Sequence, residues 1–246
     1  MRKWLPALLV LCGYGLSIAL YRQLPDVAPS GLDRLLPFTS GQPDLFPRAM
    51  MAFGLPTIAL LVLLLLHEAP IRPLGKAAAR LVGFGDAAGG PRSVEYHKFA
   101  GSYQLIVGWV VMLVLAMHLA VLSSALGWGG EPGTIVGIVF GIGLIVVGNI
   151  MPRLRPNSVA GIRTARTMAD PRLWSRVHRV YGALWIITGI VVLIVAMTVP
   201  RLALLTGAAA LLLSSLATLA VPGLLRATII LAGLGASISA WSQTPM

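Results

Sequence analysis

Histidine and carboxylate side chains stand at the ends of several apolar runs of this chain, where they could bind a metal ion. His67 and Glu68 close one apolar run, Glu95 and His97 precede the next, and His178 precedes a later one. Imidazole nitrogens and carboxylate oxygens are ligands that zinc accepts. These groups come from three separate segments with no short ligand spacing between them. We therefore expect ordinary polar residues at a membrane surface, with no metal and no cofactor.

Catalysis has little support in the remaining polar residues. The serine pairs at 123–124 and 214–215 have no base at a recognisable spacing, as a nucleophile requires. A membrane enzyme stays an alternative only if Glu68, His97 and His178 share one metal ion. We predict that the chain is not an enzyme.

Arginine residues are concentrated in one segment between two apolar runs. The basic loop, residues 152–179, holds seven arginines and one acidic residue, Asp170. Near a membrane, each basic side chain gains about 1 kcal/mol from anionic lipid, and an ordered cationic surface also suits an acidic protein partner. From the sequence alone, the basic loop could be either a topological anchor or a docking face.

The second half of the basic loop carries the start signal of a helix. Asp170 followed by Pro171 predicts a helix that begins there and continues into the next apolar run. One face of this helix would carry Arg172, Arg176 and Arg179. The first half predicts another short helix. Its members are Asn157 as the cap, with Arg163 and Arg166 on the helix.

The composition indicates an all-α, polytopic transmembrane helical bundle. The 246 residues are 57% hydrophobic and 11% charged, with a mean hydropathy of +0.85, which lies outside the range of soluble domains. An apolar run of about 20 residues crosses a bilayer as a helix, the form that satisfies its own backbone. Seven spans are predicted: 4–21, 49–67, 100–123, 133–151, 180–199, 202–221 and 224–241. The last is interrupted by Arg226, so six crossings are the alternative.

Charge predicts the orientation of the bundle. With a cytoplasmic N-terminus, all but four of the 19 Lys and Arg residues fall on inner segments, as the positive-inside rule requires. The four on outer segments are Arg22, Arg34, Arg48 and Arg201. We therefore expect a multi-pass protein of the bacterial cytoplasmic membrane whose basic loop meets the anionic inner leaflet.

Four regions follow from these spans. They are a two-helix module (1–67) with an extracytoplasmic loop (22–48), a cytoplasmic linker (68–99), a helical core (100–199) containing the basic loop, and a C-terminal helical hairpin (200–246).

Two features lie within the predicted spans. His118 would stand near the outer headgroups as a hydrated structural histidine, about 27 Å from the inner end of its helix. Asn149, one turn inside the end of the fourth span, would be a buried amide that finds its partner in the basic loop. Small residues recur on the fourth span at a spacing that lets helices approach closely, either within the bundle or across a dimer. These are Gly133, Gly137, Gly141 and Gly148.

The residues around the basic loop also form a recognisable signature. A glycine-asparagine pair, a proline, an asparagine, a Gly-Ile-Arg-Thr run and a tryptophan followed by a His-Arg pair resemble the SdpI-like family of bacterial membrane proteins. The matching positions are Gly148, Asn149, Pro152, Asn157, Gly161, Ile162, Arg163, Thr164, Trp174, His178 and Arg179.

This resemblance implies a non-catalytic immunity or signalling protein. Such a protein protects the producing cell from a secreted peptide toxin and captures a cytoplasmic transcriptional regulator at the membrane. The signature positions 149, 152, 157, 161, 163, 164, 174, 178 and 179 would then form the partner-binding face. A homo-oligomer is an open alternative for the glycine face, and direct nucleic-acid binding is not expected.

The main rival is a small-molecule transporter or flippase that uses a polar groove lined by Ser, Thr and Asn149. The predicted spans hold no Asp, Glu or Lys away from their ends. Ion-coupled transporters normally need such groups near mid-bilayer, so we prefer the immunity interpretation.

Overall fold

A computed structural model of the protein describes residues 4–35, 44–66, 92–156, 161–162 and 164–220. These residues are mostly helical, as predicted. The α-helices are α1 (Leu5–Leu20), α2 (Arg48–Leu66), α3 (Arg92–Ala125), α4 (Pro132–Ile150), α5 (Ala165–Ala169), α6 (Pro171–Thr198) and α7 (Ala203–Ala220). Short 3₁₀ turns cover Leu32–Leu35, Met151–Arg153 and Pro200–Leu202.

The chain divides into two compact units, Met1–Gly207 and Ala208–Met246. The first unit holds α1 to α6 and the start of α7. The second unit is described only as the remainder of α7. The predicted region boundaries at residues 67, 99 and 199 stay predictions.

Helices α1, α2 and α3 share one apolar core. It is formed by Val10 of α1, Ala59 of α2, and Val107 and Val111 of α3. The Tyr103 hydroxyl donates a hydrogen bond to the carbonyl of Leu66, 2.7 Å away, at the end of α2. The three helices therefore pack around one shared core.

Helices α4 and α6 form the closest pair in the first unit, because glycines face each other across their contact. A Cβ atom on Gly148 would lie 2.7 Å from the carbonyl oxygen of Gly182, and one on Gly182 would lie 2.6 Å from that of Gly148. Gly141 and Gly189 repeat this arrangement two turns away. Such distances are shorter than real side chains tolerate, so the backbones can meet only where both residues are glycine.

The other two predicted glycines of α4 meet the same neighbouring segment. Gly133 lies against the backbone of Pro200, and a Cβ on Gly137 would come within 2.7 Å of Ala196 Cβ. The face carrying Gly133, Gly137, Gly141 and Gly148 is thus covered within the chain. The geometry corresponds to the intramolecular alternative rather than to a dimer seam.

The loop between α1 and α2 contains a small antiparallel ribbon of β1 (Val27–Pro29) and β2 (Leu45–Pro47), with Val27 opposite Pro47. Arg48 forms an ion pair with Asp26 at 2.8 Å beside the ribbon. The Asp26 side chain is almost fully exposed, so this pair adds little to stability.

Four helices are long and apolar enough to cross a membrane, within the described residues: Arg48–Leu66, Ala100–Ala125, Pro132–Arg153 and Pro171–Thr198. Two predicted spans correspond to shorter apolar helices, Leu5–Leu20 and Pro200–Ser214. The predicted span 224–241 lies outside the described residues. The total of seven crossings and the cytoplasmic N-terminus stay predictions.

The prediction of a hydrated His118 was wrong. Its side chain is 1% exposed, and Nε2 lies 2.9 Å from Ser17 Oγ of α1. Ser17 Oγ also lies 2.5 Å from the carbonyl oxygen of Ala52 in α2. A buried imidazole needs polar partners, and here Nε2 finds one in Ser17 of α1, which also bonds to α2.

Candidate docking site on the basic loop

Trp174 anchors the basic loop to the end of the α4–α6 pair. Its ring is fully buried and packs with Met151 and Leu154 just beyond α4. The indole Nε1–H donates a hydrogen bond to the carbonyl of Leu154 at 2.7 Å. The first turn of α6 is therefore fixed against the residues that follow α4.

His178 lies one turn further along α6 and is also fully buried. Its ring stacks on Trp174 with 4.0 Å between centroids and 20° between planes. Nδ1 lies 2.9 Å from the Trp174 carbonyl oxygen, and Nε2 lies 3.0 Å from the backbone N–H of Ile162. A carbonyl only accepts and an N–H only donates. The imidazole is therefore neutral, with its proton on Nδ1.

Gly161 completes this contact because no other residue fits there. Its φ of +116° lies in a region that L side chains rarely adopt. A Cβ atom at this position would also overlap His178 Nε2 and lie 3.1 Å from the Trp174 ring. The loop chain thus passes directly over the Trp174–His178 stack.

Two threonines close the turn that leads into α5. The N–H of Thr167 donates to Thr164 Oγ1 at 3.1 Å, and the N–H of Thr164 donates to Thr167 Oγ1 at 2.8 Å. Thr167 Oγ1 also donates to the carbonyl of Ile162 at 2.9 Å. This reciprocal pattern is that of a capping box, with Thr in place of the usual Glu or Gln.

The start of the short helix was predicted wrongly. Gly161 and Ile162, inside the predicted helix, are not helical, and the helix begins at Ala165, after Thr164. The T-x-x-T spacing of Thr164 and Thr167 was the available signal. Asn157 and Arg163 lie outside the described residues, so their proposed roles rest on the sequence.

The start of α6 agrees with the Asp-Pro signal. The Asp170 carboxylate accepts a hydrogen bond from the N–H of Arg172 at 2.8 Å, with Pro171 as the first helical residue. From there α6 runs without a break to Thr198. One helix therefore joins the basic loop to an apolar segment long enough for a membrane span.

An exposed cationic surface lies on the outer side of α6, opposite the buried stack. We call Arg172, Arg176 and Arg179 the arginine face. With Pro171 and Ser175 they line a shallow depression of about 510 Å³. No described acidic side chain forms an ion pair with any of the three. Their charge is therefore available to a partner.

The remaining predicted residues lie at the end of α4. Pro152 is exposed on one side and packs on Gly182 on the other. Asn149 is exposed, so the prediction of a buried amide held by the loop was wrong. The buried Trp174 and His178 order the loop from inside and the exposed Gly161 lies over them, whereas Arg179 and Asn149 face outwards.

Comparisons with known proteins agree with the signature. Residues 153–239 match the model of the SdpI/YfhL protein family. Immunity protein SdpI of Bacillus subtilis (strain 168) is 23% identical over 198 residues, covering 80% of this chain and 82% of that protein. The uncharacterized protein YfhL of the same organism is 42% identical over 60 residues, covering 23% of this chain and 54% of that protein.

No solved structure matches the chain. The family match contains Gly161, the Thr164–Thr167 turn and the Trp174–His178 stack, which together order the basic loop. It also contains the arginine face. In its signature, its matched relatives and its apolar helices, this chain is similar to the SdpI-like membrane proteins.

Proposed function

We propose that this chain is a non-catalytic immunity protein of the bacterial cytoplasmic membrane. It protects the cell from a secreted peptide toxin, and its basic loop faces the cytoplasm, where it captures a regulator with an acidic surface. The similarity to Immunity protein SdpI supports the protective role. The single observation that carries the docking role is the arginine face, which is exposed and free of described ion pairs.

The order of the loop supports docking over simple anchoring. A topological anchor needs only positive charge near the headgroups. Here Trp174 and His178 hold the first turns of α6 in one position through hydrogen bonds to Leu154 and Ile162. Fixed charges with defined spacing give specificity and faster association with a complementary surface.

The packing of the helices is consistent with a cytoplasmic N-terminus. Pro6 at the start of α1 lies beside Gly108, in the first half of α3. Trp109 in turn lies on Gly143, in the second half of α4. The N-terminal end of α1 and the basic loop after α4 therefore lie towards the same end of the bundle, as the positive-inside assignment needs.

In this proposal the partner-binding face lies at the end of the bundle that carries the basic loop, and it includes both exposed and buried residues. Arg179 would contact the regulator together with Arg172 and Arg176. The other signature residues, which position the loop or extend its surface, are Asn149, Pro152, Asn157, Gly161, Arg163, Thr164, Trp174 and His178.

The test is protection of a toxin-producing bacterium that lacks its own immunity protein. We expect the wild-type chain to restore growth and Arg172→Gln/Arg176→Gln/Arg179→Gln to abolish regulator capture, measured as the regulator found in the membrane fraction. The matched control removes three exposed arginines from segments on the other side: Arg22→Gln/Arg34→Gln/Arg201→Gln. It should keep both activities at equal expression.

Two outcomes would contradict the proposal. Equal capture by the arginine-face variant and the control would remove the docking role. Uptake or efflux of a small solute by purified protein in vesicles, without protection in cells, would favour the transporter alternative instead.

A further inference from the structure

A narrow apolar groove runs between α1, α3 and α4. Its volume is about 270 Å³, and its walls include Leu9 of α1, Leu105 and Trp109 of α3, and Val139 and Val146 of α4. Val146 and Leu105 on the rim are exposed. The groove therefore opens sideways, towards the hydrocarbon when these helices stand in a bilayer.

The groove is held open by rigid neighbours rather than by flexible side chains. The Trp109 ring occupies the place where Gly143 lacks a side chain. Its Nε1–H donates to the carbonyl of Val139 at 3.3 Å, and it stacks on Phe140 with 5.9 Å between centroids. Pro6 lies 3.7 Å from the position of a Cβ on Gly108. A preformed site loses little entropy when a ligand enters.

The lining chemistry favours a hydrocarbon chain over a polar solute. Apart from the buried amide of Gln104, the described side chains that line the groove are apolar or are the indole of Trp109. The volume lies just below the roughly 300–1,000 Å³ of small-molecule sites. A groove of this volume and polarity suits one acyl chain.

Polar residues follow the apolar wall at the end of the groove nearest the basic loop. Ile142, Val146, Asn149 and Arg153 recur on α4 and the turn after it at spacings of four, three and four, which places them on one side. Asn149 and Arg153 are both exposed. At 1.5 Å per residue, Arg153 lies about 10 Å beyond Val146. An amide and a guanidinium there suit a phosphate group.

We propose that this groove binds an anionic phospholipid, with one acyl chain between α1, α3 and α4 and its phosphate against Asn149 and Arg153. Charge complementarity selects this occupant, since Arg153 is an exposed cation near the end of the groove and basic side chains attract anionic lipids. The site is separate from the arginine face. The proposal that the groove binds lipid stands apart from the proposal that the chain protects against a toxin.

The test measures phospholipid retained by the purified full-length protein in detergent, by mass spectrometry, after exchange into phosphatidylglycerol or phosphatidylcholine. Gly101 lines the groove, and a Cβ there meets no atom within 4 Å. We expect Gly101→Leu to fill the groove and reduce retention of both lipids by about tenfold. Arg153→Gln should leave the acyl site intact but reduce the preference for phosphatidylglycerol by about fivefold.

Matched controls exist for both variants. Gly15 also has open space at its Cβ position but lies outside the groove, and Arg201 is an exposed arginine beyond the far end of α6. Gly15→Leu and Arg201→Gln should retain lipid as the wild-type protein does. Unchanged retention in Gly101→Leu would overturn the proposal. If that variant kept its lipid but lost toxin protection, the groove would be a site for the peptide instead.

Discussion

The Nε2 atom of His178 lies too close to Gly161 for residue 161 to carry a Cβ atom, so the buried imidazole and the glycine are fitted to each other. The same Nε2 accepts the N–H of Ile162 at 3.0 Å. The position of His178 therefore requires glycine at residue 161 and fixes the orientation of the Ile162 N–H. Gly161 and His178 are 17 positions apart, and their contact holds the chain at residues 161–162 over the start of α6.

We expect Gly161→Ala to loosen the basic loop. The methyl group would overlap His178 and press on Trp174 at a φ of +116°. Overpacking of this kind costs about 1–3 kcal/mol. The measurement is trypsin cleavage within residues 152–179, together with the thermal unfolding midpoint in detergent.

Gly127→Ala is the matched control for that change. Gly127 also has a positive φ, +65°, but a Cβ there would meet no atom within 4 Å. It therefore carries a milder positive-φ strain without the contact. If both variants were cleaved at the same rate, the fit between Gly161 and His178 would not be what orders the loop.

We expect His178→Phe to release the amide of Ile162. Phenylalanine keeps a ring to stack on Trp174 but offers no acceptor, and a buried unsatisfied N–H costs about 1–3 kcal/mol. Hydrogen exchange at the Ile162 amide should become faster. His178→Gln, which can still present an oxygen to that N–H, should exchange more slowly than His178→Phe; the reverse order would contradict the assigned acceptor.

Local signals in the sequence predicted local features of the structure. Asp170 and Pro171 stand where the predicted helix begins, because a cap and a first-turn proline act within one turn. The spacing of Arg172, Arg176 and Arg179 places them on one face for the same reason. A four-residue recurrence of glycine likewise requires a close neighbour, although only the fold shows which one.

Features that depend on distant contacts were not predicted. The burial of His118 needs Ser17, which is 101 residues away, and the acceptor role of His178 needs a loop N–H 16 residues away. Asn149 was expected to be buried because the sequence shows that it lies near the end of an apolar span. Which side of α4 it occupies depends on where α6 packs, and the sequence does not show that. Thr167 was missed because a T-x-x-T box is weaker than its Glu-containing form.

We expect Gly148→Ala to push α4 and α6 apart. Its methyl group would lie 2.7 Å from the carbonyl oxygen of Gly182, and backbone atoms cannot move aside as side chains do. A loss of about 1–3 kcal/mol follows, measured as a lower unfolding midpoint in detergent. Gly15→Ala, in open space on α1, should be neutral or slightly stabilising, since alanine favours helices over glycine. Equal midpoints would show that the glycine contact does not limit stability.

We expect Ser17→Ala to weaken the contact of α1 with α2 and α3. Ser17 Oγ lies 2.5 Å from the Ala52 carbonyl and 2.9 Å from His118 Nε2. Its single proton goes to a carbonyl, that of Ala52 being nearer than that of Gly13 at 3.0 Å, so the imidazole must donate to Ser17. Alanine would leave a carbonyl and a ring N–H unpaired inside the bundle, at a cost of about 1–3 kcal/mol for each buried group. Thr198→Ala is the control, because that exposed hydroxyl donates to the carbonyl of Ile194 in its own helix. A Ser17→Ala midpoint in detergent no lower than that of Thr198→Ala would contradict the assigned network.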